Sequence, residues 1–251
     1  MLYYTEFGGK KCRFPCYDAV FELSGGETVP KTDVFGIIGP IMIGPSSSHT
    51  AGAARIGRMA RAICHGRPQT AGITLHGSFA ETGRGHGTHL ALVAGLLVLQ
   101  PGDERLRQSM QLAREAGLQV TIETSDLGNV HPNTARLEVT SQDGCHTTVV
   151  GSSLGGGNVV ITSIDGFEVE IYGNYHTMVI NHDDAPGMLS RITSLLADAG
   201  VNIANMKTSR KARGQMALTV IETDHPITTG LLASVRGLSQ VSSVLALPPV
   251  R

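Results

Sequence analysis

The alternation of apolar and polar residues predicts a helix in the first third of the chain. Between Ala51 and Cys64 the apolar residues recur at helical spacing and share one face. The polar run Ser46-Ser47-Ser48-His49-Thr50 comes directly before this segment. Serine and threonine oxygens accept the free N–H groups of a helix's first turn, so we expect the serine run to open the helix.

The same pattern predicts an α+β domain of mixed helices and strands that ends near Tyr172. Helices are expected where apolar residues recur about every 3.6 positions, and strands where short β-branched runs lie between turn residues. The predicted order is a strand at 73–76, a glycine-rich loop at 77–87, a buried helix at 88–99, an amphipathic helix at 104–116, and strands at 118–123, 135–140, 147–150 and 159–164. Residues 1–30 show no clear period, so we expect an irregular N-terminal extension there.

The C-terminal part of the chain follows a different pattern. It predicts a strand at 176–181, a helix at 187–199, strands at 201–209 and 215–222, a helix at 228–236 and a strand at 241–247. This βαββαβ order is that of the ferredoxin-like fold. We therefore expect three parts: the extension at 1–30, the mixed α/β domain at 31–172 and the ferredoxin-like domain at 173–251.

Composition and charge argue against several classes of partner and location. The formal net charge is −1 and the pI is about 6.8, so the chain has no electrostatic reason to bind nucleic acid or anionic membranes. The longest apolar run, Leu90–Leu99, is too short to span a bilayer. The N-terminus shows no basic segment followed by an apolar one. We therefore predict a cytoplasmic protein.

Cysteine and lysine usage narrows the chemistry. None of the cysteines forms a C-x-x-C pair, so we expect plain thiols, no disulfide framework and no metal ligands in this chain. The four are Cys12, Cys16, Cys64 and Cys145. No lysine lies between Lys31 and Lys207, so this region cannot supply the Schiff-base lysine of a pyridoxal-phosphate enzyme.

Three histidines lie in segments rich in glycine and small polar residues: His49, His86 and His131. Histidine titrates near neutral pH and suits proton transfer, while serine hydroxyls and helix N-terminal amides can hold a carboxylate. These are the groups that a site for an α-amino acid needs, although a loop histidine is more often structural or simply exposed. The run Gly155-Gly156-Gly157 also has two interpretations, a turn or an anion-binding nest of N–H groups.

Four sequence blocks, in order, resemble the β domain of the iron–sulfur-dependent L-serine dehydratases. They are IGPIMIGPSSSHTAG at 38–52, GSFAETG at 77–83 with the turn GHGT at 85–88, HPNTA at 131–135, and SLGGG at 153–157. Further along, DAPG at 184–187 and GVNI at 200–203 flank a predicted helix and look like an ACT domain. The resemblance therefore covers most of the chain from about Lys31 onward.

This resemblance implies a lyase that converts L-serine to pyruvate and ammonia with a [4Fe–4S] cluster. The family's cluster cysteines lie in a separate α domain that this chain lacks, so the resemblance implies a β subunit that works with an α subunit. The implied catalytic residues are His49, His86 and His131. The implied substrate-binding residues are Ser46, Ser47, Ser48, Thr50, Asn133 and Thr134.

The likeness to ACT domains carries its own implications. It implies self-association of two β subunits through this domain and a small-ligand contact at Asn202 and Ile203. An equally good interpretation is that Asn202 only stabilises its turn.

The chain departs from the family pattern at two places. His89 stands where an aspartate is expected after the GHGT turn, and residues 1–30 match no family block. The alternative function is an amino-acid-binding regulatory module of the phosphoglycerate dehydrogenase type, whose front domain is similar in fold and also precedes an ACT domain. A histidine-based metal protein is a third hypothesis, but no histidine pair at a short metal spacing comes with further ligands.

Overall fold

The computed structural model describes residues 3–7, 10–14 and 42–250, and the chain divides into two compact units after Gly166. One unit contains the described residues 42–166, and the other contains Phe167–Pro249. The division lies close to the boundary that we expected at Tyr172. The limits of the family domains at 30 and 172 stay predictions.

Two short strands occupy part of the N-terminal segment. Strand β1 (Tyr3–Phe7) pairs antiparallel with β2 (Lys10–Phe14). Aromatic and β-branched residues favour strands, and the intervening Gly8-Gly9 is a dipeptide favoured in two-residue hairpin loops. The expectation of irregular structure was therefore wrong for these two segments, and residues 15–30 lie outside the described part of the chain.

The first unit is built on a mixed sheet. Its strands are β3 (Pro68–Leu75), β4 (Gln119–Thr124), β5 (Thr134–Ser141), β6 (His146–Gly155) and β7 (Asn158–Ile164). They lie in the order β4-β3-β5-β6-β7, with β3 and β4 parallel and the other neighbours antiparallel. The strands expected at 73–76 and 147–150 are longer than predicted, because hydrogen bonds to neighbours on both sides continue beyond the apolar runs.

Helices α1 (Ala53–Ile63) and α3 (Thr88–Leu96) cross at very short range. A Cβ at Gly95 would lie 2.2 Å from the carbonyl oxygen of Ala54, and one at Gly57 would lie 2.2 Å from that of Leu92. Only glycine fits at this crossing, because the obstructing atoms belong to the backbone. The close approach buries the apolar faces of both helices, including Ile56, Met59, Leu92 and Leu96.

Two predictions in this unit, one of a loop and one of a helix, were wrong in detail. The expected loop at 77–87 is mostly helix α2 (Gly77–His86): its glycines lower helix propensity, but burial of Phe79 anchors the helix to the core. The expected helix at 104–116 begins as a 3-10 turn, Glu104–Gln108, and continues as α4 (Ser109–Glu115). The change falls at Ser109, which is buried and donates its hydroxyl to the carbonyl of Leu90 at 2.8 Å.

The second unit confirms the predicted βαββαβ order. Its elements are β9 (His176–Asp183), α5 (Met188–Asp198), β10 (Ile203–Arg210), β11 (Met216–Thr223), α6 (Thr229–Arg236) and β12 (Val241–Leu247). The antiparallel sheet has the order β10-β11-β9-β12. A strand that the pattern did not predict, β8 (Phe167–Ile171), precedes these elements and contacts β10, where Lys207 Nζ lies 3.8 Å from a carboxylate oxygen of Glu170.

The core of this unit lies between the sheet and its two helices. Helix α5 contributes Met188, Ile192 and Leu196, and helix α6 contributes Leu231 and Val235. Strand residues complete the cluster: Met178, Ile180, Ile221 and Val244. Each fully buried aliphatic side chain contributes about 1.5–3 kcal/mol of burial free energy. Because the apolar residues of each helix lie on one face, burial of these two faces against the sheet stabilises this packing. The predicted α+β fold class is confirmed.

One carboxyl group is buried within the second unit. Glu222 of β11 is 3% exposed, and its Oε2 accepts a hydrogen bond from Asn205 Nδ2 at 3.2 Å. Its Oε1 has no hydrogen-bond partner among the residues that the structure describes. Burial raises the pKa of Glu222 above its ordinary value; the hydrogen bond from Asn205 opposes this shift, and the nearby charge of Glu170 adds to it. A carboxyl whose pKa is higher in the folded than in the unfolded state destabilises the fold as pH rises above the unfolded pKa.

We expect Glu222→Gln to flatten this pH dependence. The wild-type chain should lose stability as pH rises from about 4.5 through the folded pKa of Glu222, whereas the glutamine variant should not. Urea unfolding at pH 5 and pH 8 measures the difference. Glu168→Gln on the exposed part of β8 is the control, and it should keep the wild-type pH dependence. Equal pH dependence in wild type and Glu222→Gln would contradict the expectation.

Candidate active site

The serine run forms a π-helical turn that opens α1. Ser46 has an extended backbone, and its Oγ accepts the N–H of His49 at 3.2 Å, while its carbonyl accepts the N–H of Thr50 at 2.8 Å. The turn spans Ser47–Gly52 and continues into α1 without a break. The predicted capping role of the serine run is confirmed, and it holds His49 at the start of a buried helix.

His49 is held by both of its ring nitrogens. Its Nδ1 lies 3.1 Å from Ser48 Oγ and 3.4 Å from Ser46 Oγ. Its Nε2 lies 3.0 Å from Thr82 Oγ1 and 3.2 Å from Ser78 Oγ, both on α2. The ring of Phe79 packs edge-on at 5.2 Å between centroids. These contacts fix the imidazole between the serine turn and α2. His49 as a whole is only 8% exposed.

His86 lies beside His49, with ring centroids 4.8 Å apart. It belongs to the last turn of α2, where its Nδ1 lies 3.0 Å from the carbonyl oxygen of Thr82. Thr50 Oγ1 donates to the carbonyl of His86 at 3.3 Å. Gly87 ends α2 with a left-handed φ of 71° and allows α3 to begin at once. The structure thus brings two of the three predicted histidines into contact.

The loop that carries His131 packs against the start of α2. The carbonyl of Pro132 accepts the N–H of Phe79 at 3.4 Å, and a Cβ at Gly77 would lie 2.7 Å from the same oxygen. The ring of His131 itself is exposed, and its Nδ1 accepts the N–H of Asn133 at 3.1 Å. Convergence of His131 with the other two rings stays a prediction.

The predicted substrate-binding residues differ in the contacts that they already make within the protein. Ser46 and Ser48 contact His49, and Ser47 begins the same turn. Thr134 Oγ1 already donates to the carbonyl of His131 at 2.5 Å and contacts Ser152 Oγ at 2.7 Å. Their roles toward a substrate stay predictions.

Several buried polar atoms near these segments have no hydrogen-bond partner among the described residues. They are Ser153 Oγ, Asn133 Oδ1, Thr88 Oγ1 and His89 Nδ1. The backbone N–H of Ser153 donates to the carbonyl of Asn133 at 2.9 Å, and a Cβ at Gly52 would lie 2.0 Å from Ser153 Oγ. Buried polar groups normally have partners, so these atoms retain unused hydrogen-bonding capacity inside the fold.

The electrostatic setting favours neutral imidazoles. Burial lowers the pKa of His49 below its ordinary value, and the nearby His86 lowers it further, although the carbonyl of Ser78 acts in the opposite direction. Burial also lowers the pKa of His89, with a smaller contribution from Arg84. A neutral imidazole at physiological pH has a free lone pair and can accept a proton.

Sequence reasoning missed Ser78, Thr82 and Ser153 as site residues. Ser78 and Thr82 are four positions apart, which places them on one face of a helix, but we interpreted their segment as a loop because of its glycines. Ser153 lies in strand β6: sheet pairing brings it beside Asn133, and packing of the serine turn against β6 brings it beside Gly52.

The triple glycine forms the turn between β6 and β7. Gly155, Gly156 and Gly157 have φ values of 99°, 61° and 83°, a region that favours glycine. The carbonyl of Gly157 accepts a hydrogen bond from Arg55 Nη1 at 2.6 Å. The structure therefore bears out the turn interpretation and ties the turn to α1.

In the second unit, Asn202 precedes β10. Its Nδ2 donates to the carboxylate of Asp224 at 2.7 Å, and its side chain is exposed. Ile203 begins β10 and packs against the core of the unit. This geometry supports the interpretation that Asn202 stabilises its turn, and a ligand contact there stays a prediction.

The described residues do not fit an iron–sulfur cluster. No group of three or more histidine, cysteine or acidic side chains in the described part of the chain is placed to hold a metal ion. Cys64 and Cys145 are buried free thiols, and burial raises the pKa of Cys64 to about 11, whereas a cluster ligand must be a thiolate. Within the described ranges, no helix is long and apolar enough to cross a membrane.

Comparison with known proteins also divides the chain into two parts, because separate family models match its N-terminal and C-terminal regions. A family model described as "Serine dehydratase beta chain" matches residues 33–125, and an ACT domain model matches residues 176–240. The "Probable L-serine dehydratase, beta chain" of Bacillus subtilis (strain 168) is 41% identical over 211 residues, covering 84% of this chain and 96% of the relative. The "L-serine dehydratase, beta chain" of Peptoniphilus asaccharolyticus is 38% identical over 210 residues, covering 83% and 95%.

A more distant similarity joins the chain to another kind of enzyme. The "D-3-phosphoglycerate dehydrogenase" of Synechocystis sp. (strain ATCC 27184 / PCC 6803 / Kazusa) is 29% identical over 190 residues, which cover 73% of this chain but 33% of that relative. The β chains match at higher identity and over nearly their whole length. The chain therefore belongs to the β-chain family of the L-serine dehydratases, with an ACT domain in its C-terminal part.

Proposed function

We propose that this chain is the β subunit of an L-serine ammonia-lyase, which converts L-serine to pyruvate and ammonia in the cytoplasm. Its partner is an α subunit that ligates a [4Fe–4S] cluster. The observation that carries the proposal is the pair of contacting histidines in a chain of this family: His49, whose ring nitrogens face serine and threonine hydroxyls, and His86, whose Nδ1 faces the backbone carbonyl of Thr82.

The proposed reaction is an α,β-elimination. The Cα–H and Cβ–O bonds of L-serine break and a C=C bond forms, which gives aminoacrylate and water; aminoacrylate then reacts with water to give pyruvate and ammonia. The buried neutral imidazole of His49 accepts the Cα proton. The serine turn and the unpaired Ser153 and Asn133 oxygens bind the polar groups of the amino acid.

The alternative is an amino-acid-binding regulatory module of the phosphoglycerate dehydrogenase type. A binding module requires only polar groups that hold a ligand, whereas proton transfer requires a base with a suitable pKa. The lowered pKa of His49 and its contact with His86 favour the enzyme. The greater identity and coverage of the β chains favour it as well.

We expect this chain alone to be colourless and inactive after anaerobic purification with iron and sulfide. The reason is that its four cysteines are scattered in the sequence, and the Cys64 thiol is protonated at neutral pH. Iron analysis, the visible absorption spectrum and pyruvate formation from L-serine are the measurements. Co-expression with the α chain should produce a brown, active complex. A stoichiometric four-iron cluster with serine turnover on this chain alone would refute the two-subunit proposal.

We further propose that two β subunits pair through the ACT domain, with Asn202 and Ile203 near a small-ligand site at the seam. Support comes from the family match at 176–240 and from the position of β10 at the edge of its sheet, where exposed backbone groups can pair with another chain. A two-fold pairing of this kind would cover the exposed Met206 side chain.

A further inference from the structure

The hydroxyl group of Thr82 has its single proton already committed. Thr82 Oγ1 lies 2.9 Å from the carbonyl oxygen of Ser78, one turn earlier in α2. A carbonyl oxygen has no proton to give, so the threonine hydroxyl must be the donor of this bond. Its oxygen is then left as an acceptor, and the ring nitrogen 3.0 Å away is Nε2 of His49.

This arrangement determines which nitrogen of His49 carries the proton. Nε2 faces the acceptor lone pair of Thr82 and, at 3.4 Å, the carbonyl oxygen of Ser78. The carbonyl contact requires an N–H at Nε2, and so does the Thr82 contact while the Thr82 hydroxyl donates to Ser78. Ser78 Oγ, 3.2 Å from the same nitrogen, is a hydroxyl and can accept this N–H as well. Since the lowered pKa keeps the ring neutral, the lone pair lies at Nδ1, where Ser48 and Ser46 can donate their hydroxyl protons to it.

The same residue determines the opposite state in His86. The Nδ1 atom of His86 lies 3.0 Å from the backbone carbonyl of Thr82, so this nitrogen carries a proton, and the lone pair of the ring, when it is neutral, lies at Nε2. In His131, by contrast, Nδ1 accepts the N–H of Asn133, which leaves Nε2 as a donor when that ring is neutral. One threonine thus contacts two adjacent imidazoles, through its hydroxyl and through its carbonyl.

We propose that Thr82 is a positioning residue that holds His49 and His86 in opposite tautomers. It assigns His49 Nδ1, on the side of the serine turn, as the atom that accepts the substrate proton. The proposal rests on the proposed function for its catalytic meaning, but the tautomers themselves do not depend on it. A base held in one tautomer needs no proton rearrangement before each turnover, which is how hydrogen-bond partners of histidine commonly act.

The first test uses nitrogen NMR of the full-length chain labelled with ¹⁵N-histidine, in which the two tautomers give distinct Nδ1 and Nε2 signals. His49→Ala and His86→Ala variants assign the resonances. The wild type should show His49 protonated at Nε2 and His86 protonated at Nδ1. The same tautomer in both rings, or a proton at His49 Nδ1, would overturn the proposal whether or not the chain is part of a lyase.

The second test compares Thr82→Val with Thr82→Ser. Valine keeps the shape but removes the hydroxyl, which leaves only the longer contacts to Ser78 at Nε2, so the fraction of His49 protonated at Nε2 should fall. His86 should not change, because its partner is the backbone carbonyl of Thr82. Serine should preserve both states. An unchanged His49 spectrum in Thr82→Val would overturn the role of the hydroxyl.

Activity of the α–β complex then tests the positioning role. Thr82→Val should lower kcat by about tenfold to a hundredfold with a smaller change in KM, and Thr82→Ser should restore most of it. A wild-type kcat in Thr82→Val would overturn the positioning role. If the wild-type complex has no serine activity, the proposed function fails, while the NMR result still decides the tautomers.

Discussion

Replacing His49 by alanine is expected to lower serine turnover by the α–β complex by about two to four powers of ten, the usual contribution of a residue that transfers a proton. The reason is that His49 is the most buried of the three predicted histidines and contacts both the serine turn and α2. The measurement is kcat/KM for pyruvate formation, made anaerobically on the co-purified complex.

The pH dependence of the wild-type complex is a second test of the role of His49. A base must be neutral, so activity should fall as pH drops through the pKa of His49. Burial and the neighbouring His86 place this pKa below the ordinary value of 6.5. The acidic limb of kcat/KM should therefore lie below that value in the wild type.

A matched control separates loss of a base from loss of any histidine. His146 is an exposed histidine of β6 whose ring nitrogens face the hydroxyls of Thr140 and Thr148. His146→Ala should retain wild-type turnover within about twofold, because surface substitutions away from a site have small effects. A loss of less than tenfold in His49→Ala, with α–β assembly intact, would show that His49 is structural.

The second large effect is expected from Gly95→Ala at the crossing of α1 and α3. The new Cβ would lie 2.2 Å from Ala54 O, 2.6 Å from Arg58 N and 2.7 Å from Gly57 Cα. These are backbone atoms, which cannot turn away, so the helices must separate and lose their buried contact. We expect the free energy of unfolding to fall by about 3 kcal/mol, at the upper end of overpacking effects, as measured by urea unfolding.

Gly230→Ala provides the matched control for this substitution. Gly230 also lies within a helix, α6, but no atom is within 4 Å of its Cβ position. Alanine there should be neutral or should stabilise the protein by up to about 1 kcal/mol, because alanine favours helices more than glycine does. Similar unfolding free energies for the two variants would mean that the crossing is looser than described.

The C-terminal unit shows how far a periodic sequence specifies a fold. In helix α5, apolar residues recur at helical spacing, and the same residues, Met188, Ile192 and Leu196, are buried in the core. The strands around it alternate or form short apolar runs, and their order required no information from distant residues. The βαββαβ arrangement was therefore predictable, because local pattern and tertiary burial agree along its whole length.

In the first unit, the local sequence pattern did not predict every element. Helix α2 was mistaken for a loop because its glycines give a weak local preference, which burial of Phe79 overrides. Ser78 and Thr82 were therefore not predicted as site residues, since they share a face only if the segment is helical. The N-terminal strands were missed for the related reason that short segments without a long period carry little signal.

The sequence by itself determined the fold class, the blocks that join this chain to its family, and His49 and His86 as candidate residues. Only the tertiary structure decided that their rings lie 4.8 Å apart, that one threonine contacts both, and that a serine of β6 lies against a glycine before α1. The physical reason is how far apart along the sequence the interacting residues lie. Helical periods and caps depend on neighbours within a few residues, whereas the contacts of His49 with His86 and Thr82, and of Gly52 with Ser153, join residues more than thirty positions apart and depend on how whole helices and strands pack.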